Sequence, residues 1–538
     1  MFFQYAPASL DTSRSNVLLL CVLGAVLYFP ALGARDFWAP VEPRYAEIAR
    51  VMFIKGEWIV PTVNGNLYTD KPILYFWLVL IASKIYGAVN EWTVRLPAAI
   101  GGIGFVVATY LMGRDFFSAR AGFYGAVILA TSMRVIWESR WAHVDTLFCF
   151  FFVLSIYFAG RTLLRKGNPY EILFSYAFMA LATLTKGLIG VVLPGLLFVA
   201  FVIAQHDWQL IAAAKLPLGI AIFLLVAGLW FYLVYQATGG EWLSDFIYIH
   251  HIQRYTAGAG HRQPFYYYFT TLPVDFLPWT VFAIPALFAY RSFRQAWADP
   301  VTRFVVLWFL VVFVFFCISD TKRDLYLMPL LPTLALLVGN YLVDLESNRA
   351  PHSAIYRWLT LSFFSIVAIA GLALPSAAWF LRKEMFSLLI PSSIVLALGG
   401  FLTVTFIRRR QPVAVLAAVA SLMTLGVITT SLWIFPYLEQ FKSHRAFSEE
   451  IKKIVPPAAP LFVYADSMND FNYYTEREAI PLLSSPLHVD QLIGRSEDGY
   501  LLVKERDLKR LPQISREWIV AGETLGSTTW SLVELKKR

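Results

Sequence analysis

Residues 36–72 read DFWAPVEPRYAEIARVMFIKGEWIVPTVNGNLYTDKP, the first long polar interruption in an otherwise oily chain. Between two apolar runs this stretch carries Asp36, Glu42, Arg44, Glu47, Arg50, Asp70 and Lys71. Charges at that density are costly inside hydrocarbon, so the loop belongs at a membrane surface, where water or other protein groups satisfy it. The remainder of the chain agrees. Of 538 residues, 58% are hydrophobic and only 15% charged, the composition of a polytopic membrane protein.

The formal net charge of +9 does not point to nucleic acid, because the basic residues are scattered between apolar runs and form no solvated block. Cys21, Cys149 and Cys317 lie in or at the ends of apolar runs, where a reduced thiol behaves as a small hydrophobe, so neither a disulfide framework nor a thiolate metal site is expected. The first apolar run, residues 16–31, reads as a retained anchor. No P-loop or dinucleotide fingerprint occurs, which argues against a nucleotide cofactor, an energised pump and a nucleotide-sugar enzyme.

A span takes about 20 apolar residues, and on that measure about fourteen candidate runs precede residue 436. Parity decides how to count them. With a cytoplasmic amino terminus, letting residues 73–86 span would push Arg114, Arg120, Arg161, Arg165, Lys166, Arg291, Arg294, Arg303 and Arg408 to the outside, against the positive-inside bias. Laying residues 73–86 along the interface, as part of the polar loop, makes all of those cations cytoplasmic and leaves about thirteen spans. The same choice brings residues 140–145, Lys186, residues 239–265 and residues 319–324 to the outer face with the first loop. Trp137, Trp141, Trp230, Trp242 and Trp279 cluster at run ends, as interfacial belts do.

The expected domains are therefore a transmembrane domain over residues 1–436 and a soluble α/β domain over residues 437–538, where the composition changes. In the latter, a helix is expected at Arg445–Ile454 and strands at Leu461–Tyr464, 500–503, 518–520 and 530–535. No internal repeat of fixed period is evident.

Within the polar segments, Pro43 after Glu42 marks a helix start, which is compatible both with a reactive carboxylate and with a charge that merely solvates an interfacial helix. Asp70 and Lys71 precede Pro72 and read equally as an exposed ion pair. Asp145 opens the apolar run WAHVDTLFCFFFVL, where a charge must be paired or used. Lys186, next to Gly187, either snorkels to the interface or binds phosphate. Lys322, Arg323 and Asp324, with Tyr326 following, set cations on the face where they are disfavoured, which asks for an anionic partner. His250, His251, Arg254, His261 and Arg262 offer weak metal-ligand spacing but good phosphate donors. Carboxylates and cations sharing a membrane surface suit an enzyme acting on a lipid-linked phosphate, the cations holding the leaving group and a carboxylate orienting or deprotonating the acceptor.

The ordered motifs WAPVEPRYAEIAR, GEWIVP, LYTDKP, HVD, LTKG, HIQRY, HRQPFYYY and KRDLY, spread from about Phe37 to Asn340, resemble the lipid-carrier-dependent glycosyltransferases of the GT-C fold. The likeness is to the 4-amino-4-deoxy-L-arabinose lipid A transferases, with protein O-mannosyltransferases as relatives. The resemblance implies a bacterial inner-membrane, multi-pass enzyme with interfacial helices in its first periplasmic loop and an active site facing the periplasm. It also implies an undecaprenyl-phosphate-linked sugar as donor, lipid A or a related periplasmic glycolipid as acceptor, and inversion at the sugar carbon. Carried over motif by motif, Lys71, Lys186, Arg254, Lys322 and Tyr326 would hold the carrier phosphate, Arg44 and Tyr45 would line the same cavity, and Asp70 and His251 would be positioned for a divalent metal ion. Where the lipid A enzymes read Pro-Asp-Glu, this chain has Pro40, Val41 and Glu42, so the catalytic carboxylates are expected to be Glu42 and Asp145. Asp70 likewise replaces the glutamate common before the lysine.

Two other readings stand beside this one. A protein O-mannosyltransferase-like enzyme fits the same fold. A flippase for lipid-linked sugars fits less well, since transporters place polar groups near the bilayer midplane, whereas here they gather at span ends.

Overall fold

The computed structural model of the chain describes residues 10–257, 261–289, 297–466, 469–494 and 499–535. Arg291 and Arg294, and residues 258–260 of the polar segment 239–265, lie outside the described residues. The chain divides into two compact units, the first made of Met1–Pro30, Thr69–Tyr75 and Pro97–Ile434, the second of Ala31–Tyr68, Phe76–Leu96 and Phe435–Arg538.

The first unit is helical because its apolar runs can satisfy their backbone groups in hydrocarbon only by helix formation. Among the described residues of the whole chain, eight helices are long and apolar enough to cross a membrane. They are Glu91–Phe116, Asp145–Leu163, Gln209–Thr238, Pro300–Ile318, Asp324–Glu346, Ser353–Phe380, Met385–Arg408 and Pro412–Glu439. Counting the pair Tyr267–Asp275 and Thr280–Ala289, bent by 110°, as one span makes up to nine. Ser13–Tyr28, Leu74–Tyr86, Ala119–Ala130 and Ile189–Gln205 are apolar but shorter. A hydropathy window runs straight through a break such as Gly187, which the fold uses to end Ile172–Lys186 before Ile189–Gln205 begins. Small residues let helices approach: a β-carbon at Gly339 would lie 2.6 Å from the Ala121 carbonyl oxygen, where Leu331–Glu346 packs on Ala119–Ala130.

The second unit combines the first polar loop with the carboxyl-terminal residues. Its loop portion holds the helix Glu42–Lys55, with proline in its first turn and Gly56 closing it at φ 65°, and a hairpin of β1 (Thr62–Val63) and β2 (Asn66–Leu67). Residues 74–86 form the helix Leu74–Tyr86, about 20 Å long at 1.5 Å per residue and so short of a span.

Its carboxyl-terminal portion is a mixed five-stranded sheet of β3 (Leu461–Tyr464), β4 (Leu482–Leu483), β5 (Gly499–Lys504), β6 (Ile519–Leu525) and β7 (Thr528–Leu535), in the order β4-β3-β5-β7-β6. β3 pairs in parallel with β4 and β5, and β7 runs antiparallel to β5 and β6. One face buries Phe447, Ile451, Phe471, Leu502 and Trp530; the other buries Val489, Leu501, Val503 and Val533. The helix Arg445–Ile454 and the strand Leu461–Tyr464 form where their patterns place them. β4 is too short to announce itself in sequence.

Candidate active site

In the first unit, the LYTDKP segment is fixed by its own side chains. Asp70 accepts from Lys71 Nζ at 3.0 Å and Arg254 Nη1 at 2.7 Å, and His250 Nδ1 lies 3.3 Å away. Burial pushes the Asp70 carboxyl up, but Lys71, Arg254 and His250 more than offset it and hold it well below the usual carboxylate range. The Lys71 ammonium is lowered, by burial first and then by Arg254 and Lys186, against the pull of Asp70. His250 is lowered by burial despite Asp70, and its Nε2 lies 3.0 Å from the Thr69 hydroxyl.

Lys71 is close enough to Lys186 and Asp145 for its charge to be felt by both, which makes the second ion pair part of the same site. Asp145 stands at the start of Asp145–Leu163, where a carboxylate favours the positive helix end, and Lys186 at the close of Ile172–Lys186, where a cation favours the negative one. They hydrogen-bond directly, and both are buried. The Lys186 ammonium also lies 5.2 Å from the Phe148 ring centroid and 5.2 Å from that of Tyr326.

The LTKG motif explains itself locally. Gly187 sits at φ 96°, and a β-carbon there would lie 2.5 Å from His251 Nε2. That nitrogen instead accepts the Leu188 N–H at 3.1 Å, while His251 Nδ1–H donates to the Phe246 carbonyl at 2.7 Å. Both ring nitrogens are therefore engaged with backbone. Asp70 and His251, the pair expected to ligate a divalent metal, turn to different partners: His250 reaches Asp70, beside Lys71 and Arg254, while His251 bonds to backbone. Among the described residues, the three groups that do offer ligating atoms within 4.8 Å of one another are Glu138, His143 and Asp145.

The sequence offers His143 only as part of the HVD motif, and it singles out neither Glu138 nor Arg134. The Arg134 guanidinium bonds to Glu138 at 3.0 Å, to Asp275 at 2.7 Å and also to Asp324, while Glu138 pairs with His143 Nδ1. The one available signal was the charge density of MRVIWESRWAHVD. Lys322 is buried and gives its ammonium to the carbonyl oxygens of Gln263 and Ser319, which ties the loop 261–263 to 319–322.

In the second unit, Glu42 is fully buried. One oxygen accepts from Arg35 at 2.7 Å and Arg95 at 3.0 Å, the other from Arg95 at 2.7 Å and Arg35 at 3.0 Å, and the Trp38 N–H adds a further bond at 3.2 Å. Burial raises the Glu42 carboxyl, but the two guanidiniums outweigh it and leave it well below the usual range. Such a group orients a loop; it is a poor proton acceptor. Tyr45 is buried edge-on against Tyr68 and Phe76, and Arg44 is half-buried.

The helical bundle, with cations and carboxylates where its apolar helices end, defines a membrane-embedded enzyme of the GT-C type, and comparisons with known proteins agree. The Dolichyl-phosphate-mannose-protein mannosyltransferase family matches residues 70–232. An uncharacterized protein of Aquifex aeolicus is 31% identical over 444 residues, 82% of each chain. An undecaprenyl phosphate-alpha-4-amino-4-deoxy-L-arabinose arabinosyl transferase of Shewanella sediminis is 28% identical over 496 residues, 90% of this chain and 89% of the relative. The crystal structure of ArnT from Cupriavidus metallidurans bound to undecaprenyl phosphate superposes with a TM-score of 0.76 at 21% identity, covering 98% of both chains. The chain has the GT-C fold and is similar to the lipid-carrier-dependent glycosyltransferases that share it. Within them it is similar to the arabinosyl transferases.

Proposed function

We propose that this enzyme takes a sugar from undecaprenyl phosphate and passes it, with inversion, to a phosphate of lipid A or a related periplasmic glycolipid, at the periplasmic face of the bacterial inner membrane. One observation carries the reading: half-buried Lys71 and Arg254 flank Asp70, and Lys71 is within electrostatic reach of the buried Lys186–Asp145 pair, so three cations meet these two carboxylates, an excess suited to a phosphate. When the carrier leaves the sugar, its phosphate gains negative charge, and preorganised cations in a water-poor site stabilise that gain more than they stabilise the intact donor. Asp70 and Asp145 hold the lysines in place before the donor arrives. Tyr326 closes over Lys186.

The acceptor class follows from the first loop. Val41 stands where the resemblance implies an acid, and Glu42 is locked between Arg35 and Arg95. Neither supplies a base, and a phosphate acceptor, already ionised, needs none, whereas a serine or sugar hydroxyl does. This favours a glycolipid phosphate over protein O-mannosylation.

Mass spectrometry of lipid A from cells with and without the protein tests the proposal. A sugar-sized mass added to a lipid A phosphate only when the protein is present supports it. Unchanged lipid A together with lost glycosylation of secreted proteins would transfer the reading to the mannosyltransferase class.

A further inference from the structure

The carboxyl-terminal sheet domain contains none of Lys71, Lys186 and Arg254, yet its side chains bond repeatedly to the first polar loop. Backbone donors buried away from water need partners. Three consecutive ones, at Asp36, Phe37 and Trp38, find them in three places: Glu439 accepts the Asp36 N–H at 2.7 Å, the Tyr474 hydroxyl accepts the Phe37 N–H at 2.8 Å, and Glu42 accepts the third. The carbonyls of Leu32, Arg35 and Asp36 accept from Arg95. Residues that cage Glu42 are thus tied on one side to Arg95 and on the other to groups beyond residue 435.

The side chains repeat the pattern. Asp36 accepts from Ser443 at 2.7 Å and from Arg445 at 2.9 Å. Phe37 is fully buried, 5.0 Å edge-on from Tyr473, whose hydroxyl donates to the Val89 carbonyl at 2.9 Å. At the hairpin, Asn64 Oδ1 accepts from Asn472 at 3.0 Å and from the Ile480 N–H at 2.6 Å. Asn472, Tyr473 and Tyr474 are successive residues of the seven-residue helix Asn469–Thr475, and each reaches a different part of the loop region. A domain attached only by its peptide linkage would need none of these bonds.

We infer that the carboxyl-terminal domain is an internal positioning element for the first polar loop, with Tyr474 the residue that fixes the segment 35–38 and, through it, the arginine cage of Glu42. This rests on the transferase reading above for its functional consequence. The domain acts on turnover, whereas donor phosphate recognition belongs to Lys71, Lys186 and Arg254 in the other unit.

The test uses the full-length protein in detergent, as Tyr474→Phe, which deletes one hydroxyl and keeps the ring, and Ser443→Ala, which deletes one bond to Asp36. Lys452→Ala, which removes an exposed pair with Glu476, serves as the control. Two quantities are read: hydrogen–deuterium exchange of the 35–38 amides, and kcat and KM for an undecaprenyl-phosphate-linked sugar. The expected result is faster exchange at 36–38 and a kcat lowered at least tenfold in Tyr474→Phe, with a smaller change of the same sign in Ser443→Ala, donor KM within twofold, and a wild-type control. Wild-type exchange in both variants, or wild-type kcat in Tyr474→Phe, overturns the inference. Should the unaltered protein transfer no sugar, the transferase reading fails, and the exchange data still decide whether the domain positions the loop.

Discussion

Asp145 and Lys186, 41 residues apart in sequence, form a direct ion pair at the meeting of one helix start and one helix end, with both side chains buried. A buried pair gains little over apolar packing, but breaking one strands the remaining charge at a cost of about 3–5 kcal/mol. Its retention in so apolar a setting is best accounted for by use. Lys186→Ala should lower transfer by about 10²-fold or more, the scale of losing one preorganised donor to a developing charge, while the protein still inserts in the membrane. Asp145→Asn should lower it less, since the ammonium that faces the phosphate survives. A transfer assay on membranes with matched protein levels checks both.

Glu42 makes a different prediction because its carboxylate already serves two guanidiniums. Glu42→Gln should destabilise the protein by about 3–5 kcal/mol, because Arg35 and Arg95 both lose the buried carboxylate they bond to. A thermal unfolding midpoint that drops clearly in detergent is the expected outcome. A variant of wild-type stability that has lost transfer would restore Glu42 to the role of a reacting carboxylate.

Much of this was legible in the chain because membranes impose simple rules. Apolar runs had to be helices, because in hydrocarbon no other local structure satisfies their backbone. The ammonium of Lys186 and the carboxylate of Asp145 stood out because an apolar run makes any charge conspicuous. What stayed hidden was partner choice. Glu42 and Arg95 sit 53 residues apart, and nothing in their spacing announces a bidentate bond. His250 and His251 are neighbours on a helical segment and so point in different directions, one to Asp70 and one to backbone. Arg134 and Glu138 carry no such signal, and only the fold brings Asp275 and Asp324 to the same guanidinium.

Gly187 tests whether the LTKG turn places Lys186. Its φ of 96° is strained for any residue with a β-carbon, and that carbon would collide with His251. Gly187→Ala should therefore cost about 1–3 kcal/mol and reduce transfer more than His251→Gln, which can still accept the Leu188 N–H. Equal activity of Gly187→Ala and the unaltered protein would show that the turn tolerates displacement and that Lys186 is held by Asp145 alone.

The last prediction concerns pH. Glu47 is buried in the helix Glu42–Lys55, and burial raises its carboxyl to about 7 although Arg50 bonds to it at 2.8 Å on each oxygen. The folded form thus holds this proton over a range where the unfolded chain, with an ordinary glutamate, has released it. Stability contributed by Glu47 is complete below about pH 4.3, the unperturbed glutamate value, and is lost as pH rises through about 7. Unfolding midpoints measured from pH 5 to 8 should fall toward the alkaline end. Glu47→Gln, which keeps a neutral group of the same shape, should flatten that slope and raise the midpoint at pH 8. An unchanged slope in Glu47→Gln would assign the dependence to another group.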